Sequence, residues 1–327
     1  MRALVCDRFG PPETLVLGEL PTPLPGKGEV LIDVAAAGVS FADTLMIRDL
    51  HQNKHSLPFA PGMEVAGRIA AVGDDVQGFQ VGERVMALVY DGGHAEHAVA
   101  PATETFRLPK TMDYATAAAM CAAYLTAHGA LVWQGNIQAH ETVLVTGAAG
   151  GVGLAAVDVA KALGANVIAA ASSPEKLAVA REHGADHGID YTATDLRAEA
   201  LAFTGGKGVN VVYDPVAGDL YEPAFRSMDW GGRYLTIGYA GGSIPQIPAN
   251  QLLVKNRAAL GFALFYYRKR RPELLAKSAA ALMAWHADGK IQPQVTERFP
   301  LHEGPAALRR IMDRQATGRL VLDIADI

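Results

Sequence analysis

Up to about residue 110 the apolar positions fall in short runs. GEVLIDVAAAGV (28–39), VAGRIAAVG (65–73), GERVMALV (82–89) and HAEHAVAPA (94–102) are rich in β-formers. Turn residues punctuate them at Pro21-Thr22-Pro23, Pro25-Gly26, Pro61-Gly62, Gly73-Asp74 and Asp91-Gly92-Gly93. This pattern predicts a largely antiparallel, partly closed β domain. From about residue 113 the texture changes to an Ala-rich helical stretch and then to alternation. VLVTG (143–147) leads to a helix ending near Leu163, then NVIAAA (166–171) and a helix from Pro174 to about His183. HGIDY (187–191), a helix around 194–203, VNVVYD (209–214), a helix around 219–229 and RYLTIGY (233–239) follow. Strands alternating with helices at this spacing predict βαβ units, a parallel sheet and right-handed crossovers. A Pro-started helix from Pro272 to about Asp288, another near 303–316 and the strand RLVLDIAD come last.

Composition narrows the class. A chain of 327 residues is long enough for two domains. With half its residues hydrophobic and 19% charged, it has the composition of a compact protein, not a disordered one. A net charge of -5 supplies no global field to recruit nucleic acid or acidic lipid. Cys6 and Cys121 are the only cysteines, which excludes a disulfide scaffold and a cysteine-built zinc cage and fits a reducing compartment. MRALVCDRFG lacks the apolar core of a signal peptide. Residues 114–133 carry no formal charge, but alanine dominates them, and Thr116, Thr126, His128 and Gly129 interrupt them. They are expected to form packed interior helix instead of a membrane span. The expectation is a soluble cytoplasmic protein.

The candidate chemistry sits in VLVTGAAGGVGLAAVDVAKALGA. Val152, Ala156, Val159 and Leu163 recur at helical spacing and predict one apolar stripe against a sheet. In this strand–turn–helix setting Gly150 allows close backbone approach to a pyrophosphate. Gly153 allows helix and strand to pack, the helix N-terminus offers free N–H groups to the phosphates, and Gly150, Gly151 and Val152 are the expected cofactor-binding residues here. The fingerprint G-x-G-x-x-G is read with Ala148 in the first glycine's place. At the end of the second strand, where a carboxylate would hold an adenosine ribose, stands Ala171, followed by Ser172, Ser173 and Lys176. Hydroxyls and an ammonium suit a 2′-phosphate, so NADPH is the expected cofactor. The same residues also read as a serine N-cap before Pro174-Glu175, and both roles are compatible.

The chain resembles the zinc-independent quinone oxidoreductases, the zeta-crystallin-like branch of the medium-chain dehydrogenase/reductase superfamily. The likeness runs through MRALVCDRFGPPETL, GEVLIDVAAAGVSFADTLMIR, LPFAPGMEVAGRIAAVG, VGERVMAL, the glycine stretch, GADHGIDY, VVYDPVAG, GGRYLTIGYAGG, GKIQPQVTERFPL and ATGRLVL. It implies an α/β architecture: a GroES-like β-rich catalytic domain (1–112 and 263–327) and a Rossmann doubly wound parallel-sheet domain (113–262). It also implies a nicotinamide in the cleft between them and a homodimer or homotetramer. By motif, Thr126 in YLTAH would lie beside the nicotinamide, and Tyr191 would join Ser172, Ser173 and Lys176 at the adenosine end. Gly238, Tyr239, Ala240, Ala263 and Leu264 would line the cofactor channel near Val216. Arg314 in MDRQATG would reach the 2′-phosphate. Zinc-containing relatives have a metal-binding Cys and a Gly-His-Glu motif at the places of Ser40 and Gly62-Met63-Glu64. A hydroxyl and a thioether do not replace those ligands, so no catalytic zinc is expected.

Three departures from the family bear on the acceptor. Ser40 replaces the usual Asn, Asp49-Leu50-His51-Gln52 replaces a G-x-Y-Q pattern, and Gly92-Gly93-His94-Ala95-Glu96-His97 replaces GGFAEY. His51 is the candidate donor to a substrate carbonyl, or else part of a solvated loop. Asp43 is read as catalytic or as a backbone-orienting acid. A metal reading of His51, His55, His94 and His97 fails, because positions 94 and 97 of one strand face opposite ways. The aromatic and basic run FALFYYRKRRPE is read as a solvated turn before Pro272, with no nucleic acid expected. The expected activity is NADPH-dependent reduction of a quinone or other α,β-unsaturated carbonyl. An enoyl-CoA or acryloyl-CoA type reductase, and a non-catalytic NADPH-binding protein (crystallin-like or RNA-associated), stay open beside it.

Overall fold

In the computed structural model, which describes residues 1–327, the early apolar runs become strands. These are β1 (Arg2–Val5), β2 (Val16–Glu19), β3 (Glu29–Val39), β4 (Glu64–Val72), β5 (Arg84–Leu88), β6 (His97–Pro101) and β7 (Thr105–Arg107). A short helix, α1 (Phe41–Met46), separates β3 from β4, and α2 (Tyr114–His128) widens into a π-helical turn at Gly129–Gln134. The alternating part contains β8 (Thr142–Thr146), α3 (Gly151–Ala162), β9 (Asn166–Ala171), α4 (Pro174–Glu182), β10 (His187–Asp190) and α5 (Leu196–Phe203). It continues with β11 (Val209–Asp214), α6 (Tyr221–Arg226), β12 (Met228–Thr236), α7 (Ala249–Lys255) and β13 (Ala258–Gly261). Helices α8 (Leu264–Arg270) and α9 (Pro272–Ala287), strand β14 (Val295–Pro300), α10 (Gly304–Met312) and β15 (Arg319–Asp323) follow.

The elements divide into two units. One comprises Met1–Ala122, Arg268–Met283 and Pro293–Ile327, and the other Ala123–Tyr267 and Ala284–Gln292. In the first unit a seven-stranded sheet runs β14-β15-β3-β4-β5-β7, β6 also pairs with β3, and β1 and β2 form a separate ribbon. Strand β3 is the hub. Its pairing with β15, β4 and β6 buries it almost end to end, and Ile32 and Val34 enter the core with Val65, Ile69, Val85, Leu320 and Leu322. Two ion pairs lie inside this unit, Glu64 with Arg319 and Glu104 with Arg268. Arg268 corrects the expectation of a solvated basic turn. The run 268–270 ends α8, and the helical period turns Arg268 inward to Glu104 and to the carbonyls of Leu88 and Val89, both at 3.2 Å. Only a cation saturated in this way is tolerated so deep.

In the second unit the sheet is wholly parallel, in the order β10-β9-β8-β11-β12-β13. Numbered along the sequence this is the doubly wound order, reversing between β8 and β11. Helix α3 is buried from Gly153 to Ala160 and so on more than one stripe, while Val152 and Leu163 at the stripe's ends are only half-buried. Helix α6 stops at Arg226, short of its expected end, because Met228 already enters β12 opposite Val209. Helix α7 and strand β13 carry no periodic signal in the sequence, as they are short and half-exposed. The uncharged helical stretch Tyr114–Gln134 has 78% of its most apolar window buried inside the structure, as a core helix does.

At the end of α2, His128 is buried against Trp285, with ring centroids 5.3 Å apart. Burial disfavours the imidazolium and lowers its pKa from 6.5 to about 4. The unfolded chain therefore takes up this proton first as pH falls, and stability drops between pH 6.5 and about 4. Urea unfolding should show a loss of about 2 kcal/mol from this group between pH 7 and pH 5. His128→Leu should remove that part of the pH dependence, and an unchanged slope would rule the assignment out.

Candidate functional site

The carboxyl end of β8 leads into a tight turn. Gly147 has φ 58°, which favours glycine, and Gly150 forms the N-cap of α3 with no side chain covering the helix's first turn. At Gly153 a Cβ would stand 2.2 Å from the Gly147 carbonyl oxygen, so only glycine lets α3 come this close to the strand. At Gly150 a Cβ would meet the same oxygen at an ordinary 3.4 Å. Nothing in the fold requires glycine there, and close approach of a ligand remains as its use. Gly150, Gly151 and Val152 are half-buried, with the dipole of a twelve-residue helix behind them.

Strand β9 ends at Ala171, whose neighbour across the sheet is Asp190. Ser172 Oγ accepts a hydrogen bond from Lys176 Nζ at 3.1 Å. Ser173 caps α4, its Oγ accepting from Lys176 N at 3.3 Å. Cap and polar cluster thus coexist, one serine for each. Tyr191 N donates to Ala171 O at 3.2 Å, which brings Tyr191 to the same strand end. The loops after β11 and β12 carry Val216 and Gly238, Tyr239 and Ala240. They bond to each other, with Ala240 N donating to Pro215 O at 3.1 Å and Gly241 N to Val216 O at 2.7 Å. Ala263 and Leu264 are half-buried at the start of α8, and Thr126 is half-buried in an otherwise closely packed helix.

Ser40, Asp43 and His51 belong to the first unit, and so does Arg314, exposed with φ 57° just after α10. Ser40 is the N-cap of α1, and Asp43 Oδ2 accepts from both its N (2.7 Å) and its Oγ (2.9 Å). Asp43 is fully buried and its Oδ1 has no partner. The His51 amide donates to Leu45 O at 3.2 Å, which anchors its loop to α1. Its ring Nδ1 accepts from Asn53 N at 3.2 Å, and burial lowers its pKa. The ring is therefore neutral at pH 7 with its proton on Nε2. The other histidines are separately engaged: His55 with Asp91 at 2.8 Å, His97 with Asp33 at 2.9 Å and His94, outside β6, with Gly38 O at 3.2 Å.

Asp214 is not among the residues that the sequence marks as candidates. It closes β11 and lies buried between the β8 turn and the β12 loop, bonded to Thr146, Tyr234, Val216 and Ala217. The available signal was an acid at the end of an apolar strand, VNVVYD.

Known proteins share this fold. Residues 26–110 match the alcohol dehydrogenase GroES-like domain family and residues 151–280 the zinc-binding dehydrogenase family. The chain is 37% identical to the quinone oxidoreductase-like protein 2 homolog of Nematostella vectensis, over 98% of this chain and 88% of that one. The chain belongs to the quinone oxidoreductase branch of the medium-chain dehydrogenase/reductase superfamily. The structure of Escherichia coli quinone oxidoreductase complexed with NADPH superposes with a TM-score of 0.93 at 29% identity, covering 99% of this chain and 100% of that one. A mycobacterial relative complexed with NADPH gives 0.93 at 32% identity, covering 98% and 99%. The second family's description names zinc. No three His, Cys, Asp or Glu side chains are grouped to hold a metal ion, and Ser40 Oγ is spent on Asp43.

The two glycines should separate on substitution. Gly153→Ala should cost about 1–3 kcal/mol in urea unfolding, as overpacking against backbone does. Gly150→Ala should leave unfolding of the free protein within about 0.5 kcal/mol of wild type. Equal costs would contradict the assignment of one glycine to packing and the other to a ligand.

Proposed function

We propose that this chain binds NADPH and reduces a quinone or other α,β-unsaturated carbonyl by hydride transfer, without zinc. The observation that carries the reading is the end of β9, where Ala171 stands in the place of a ribose-binding acid and Ser172 and Lys176 are already bonded to each other. NADPH-bound structures of two relatives support it. Ser172 and Lys176 hold the 2′-phosphate through charge-assisted bonds, and the first turn of α3 holds the pyrophosphate. Bound NADPH supplies the hydride. Thr126 and the loops carrying Val216 and Gly238 to Ala240 orient the nicotinamide.

His51 polarises the acceptor. A neutral imidazole with Nδ1 engaged by Asn53 presents Nε2–H, which donates to the carbonyl oxygen as negative charge develops there. Asp43 acts on position: it fixes Ser40 and the start of α1, to which the His51 loop is anchored. The proton that completes the reduction comes from solvent. A small acceptor suits this chain better than an acyl-CoA, since Arg268, one of the basic side chains a CoA rim would draw on, is buried on Glu104.

Oxidation of NADPH at the nicotinamide absorbance band, with a benzoquinone and then a short enone, tests the activity, with NADH as the control. Lys176→Ala should raise KM for NADPH about tenfold or more and leave KM for NADH nearly unchanged. Gly150→Ala should weaken NADPH although it spares folding. His51→Phe should lower kcat by about tenfold to a hundredfold with little change in KM for NADPH. Tight NADPH binding without turnover on either acceptor would sink the proposed reaction.

A further inference from the structure

The sheet order reverses between β8 and β11, and one side chain ties the carboxyl ends of those strands together. Asp214, the last residue of β11, is fully buried, and none of its hydrogen-bond partners is a cation. Its Oδ1 accepts from the Thr146 hydroxyl, at the end of β8, and from Val216 N and Ala217 N, both at 2.8 Å. Its Oδ2 accepts from the Tyr234 hydroxyl on β12. A carboxylate survives burial only when donors saturate it, and here four donors from three strand ends converge on one acid. An amide of the same shape would keep the three bonds at Oδ1 by turning its NH2 toward the Tyr234 hydroxyl, so only removal of the oxygens breaks the arrangement.

The bonds have a backbone consequence. Ala217 has φ 56°, a region that residues with a Cβ rarely enter, and its N–H points at the carboxylate. The Asp214 carbonyl accepts from Ile237 N at 2.9 Å, which joins the β12 loop to the same residue. Packing around it is glycine-close. A Cβ on Gly147 would stand 2.8 Å from Val216 Cγ2, and one on Gly241 would stand 2.8 Å from Val216 O. The 215–218 loop therefore packs closely against both neighbouring loops.

We infer that Asp214 is the positioning residue of the cofactor face. Its carboxylate sets the spacing of the three loops that carry Gly150 to Val152, Val216 and Gly238 to Ala240, and the inference rests on the NADPH reading above. Asp214 gives up no proton in the reaction and acts only through these loops. The adenosine end, at Ser172 and Lys176 beyond β9, lies outside its reach, because none of its bonds goes to β9.

Binding of NADPH and of 2′-AMP to the whole chain tests this, alongside urea unfolding of each variant. Asp214→Ala removes both acceptor oxygens, so it should weaken NADPH about tenfold or more and leave 2′-AMP within about twofold of wild type. Thr146→Val should move NADPH in the same direction by a smaller factor. Tyr234→Phe leaves all three bonds at Oδ1, so it should lower the urea midpoint and keep NADPH affinity within about twofold. A folded Asp214→Ala with unchanged NADPH affinity overturns the inference. So does a set of variants that lose both ligands in proportion to their loss of stability. If Asp214→Ala does not fold, the contrast between Thr146→Val and Tyr234→Phe decides in the same way. Wild type that binds neither ligand overturns the cofactor reading and this inference with it; wild type that binds NADPH beside variants that bind it equally well overturns the inference alone.

Discussion

A buried carboxylate without a counter-charge is the constraint around which the parallel-sheet unit is arranged. Asp214 can be accommodated in the core only if backbone and hydroxyl donors from β8, β11 and β12 meet at its oxygens. That requirement fixes how far apart the three strand ends lie and obliges Ala217 to take a left-handed conformation. The glycines at 147 and 241 then follow, since no Cβ fits where these loops touch. Open doubly wound sheets bind ligands outside the carboxyl ends of their strands at the point where strand order reverses. Asp214 ties the strand ends together at that point.

The β-rich unit meets its own constraint by a different route. Strand β3 pairs on several sides at once, which leaves little room for side chains near its end. A Cβ on Gly38 would stand 2.5 Å from the Glu64 carboxylate and 2.7 Å from the Arg319 guanidinium. The charges of Glu64 and Arg319 are buried together directly beneath the turn into Ser40. Glu64 is further held by Ala122 N at 2.6 Å, and burial still pushes its carboxyl above the usual carboxylate range. Cys121 beside this cluster is fully buried, its thiol raised well above the ordinary value by burial, and is thereby a packing residue and not a nucleophile. Ser40 and His51 are left half-buried, while Asp43 lies buried against Ser40.

Local signals carried much of this into view. The strands of the parallel sheet other than β13 were legible because each is an apolar run bounded by glycine or a helix cap. NVIAAA and VNVVYD were read with the ends the structure has. The α3 turn was legible because glycine spacing encodes close backbone approach. Helix α7 and strand β13 were not, because short, half-exposed elements show no period. Arg268 was misjudged because four adjacent basic residues look alike in sequence, and only the helix and the position of Glu104 distinguish them.

The sequence by itself determined the family, the α/β class with its GroES-like and Rossmann parts, the glycine turn, and the lack of an acid after β9. Each of these depends on residues within a few positions of one another, whose types restrict backbone and chemistry directly. The tertiary structure alone decided the partners of Asp214, the inward turn of Arg268, and the neutral, Nε2-protonated state of His51. Those outcomes depend on contacts such as that of Asp214 with Thr146, 68 positions apart, and on burial, which no local spacing encodes. Hydrogen bonds to a buried charge are set by what the fold brings near it, and only then does the charge fix the fold in return.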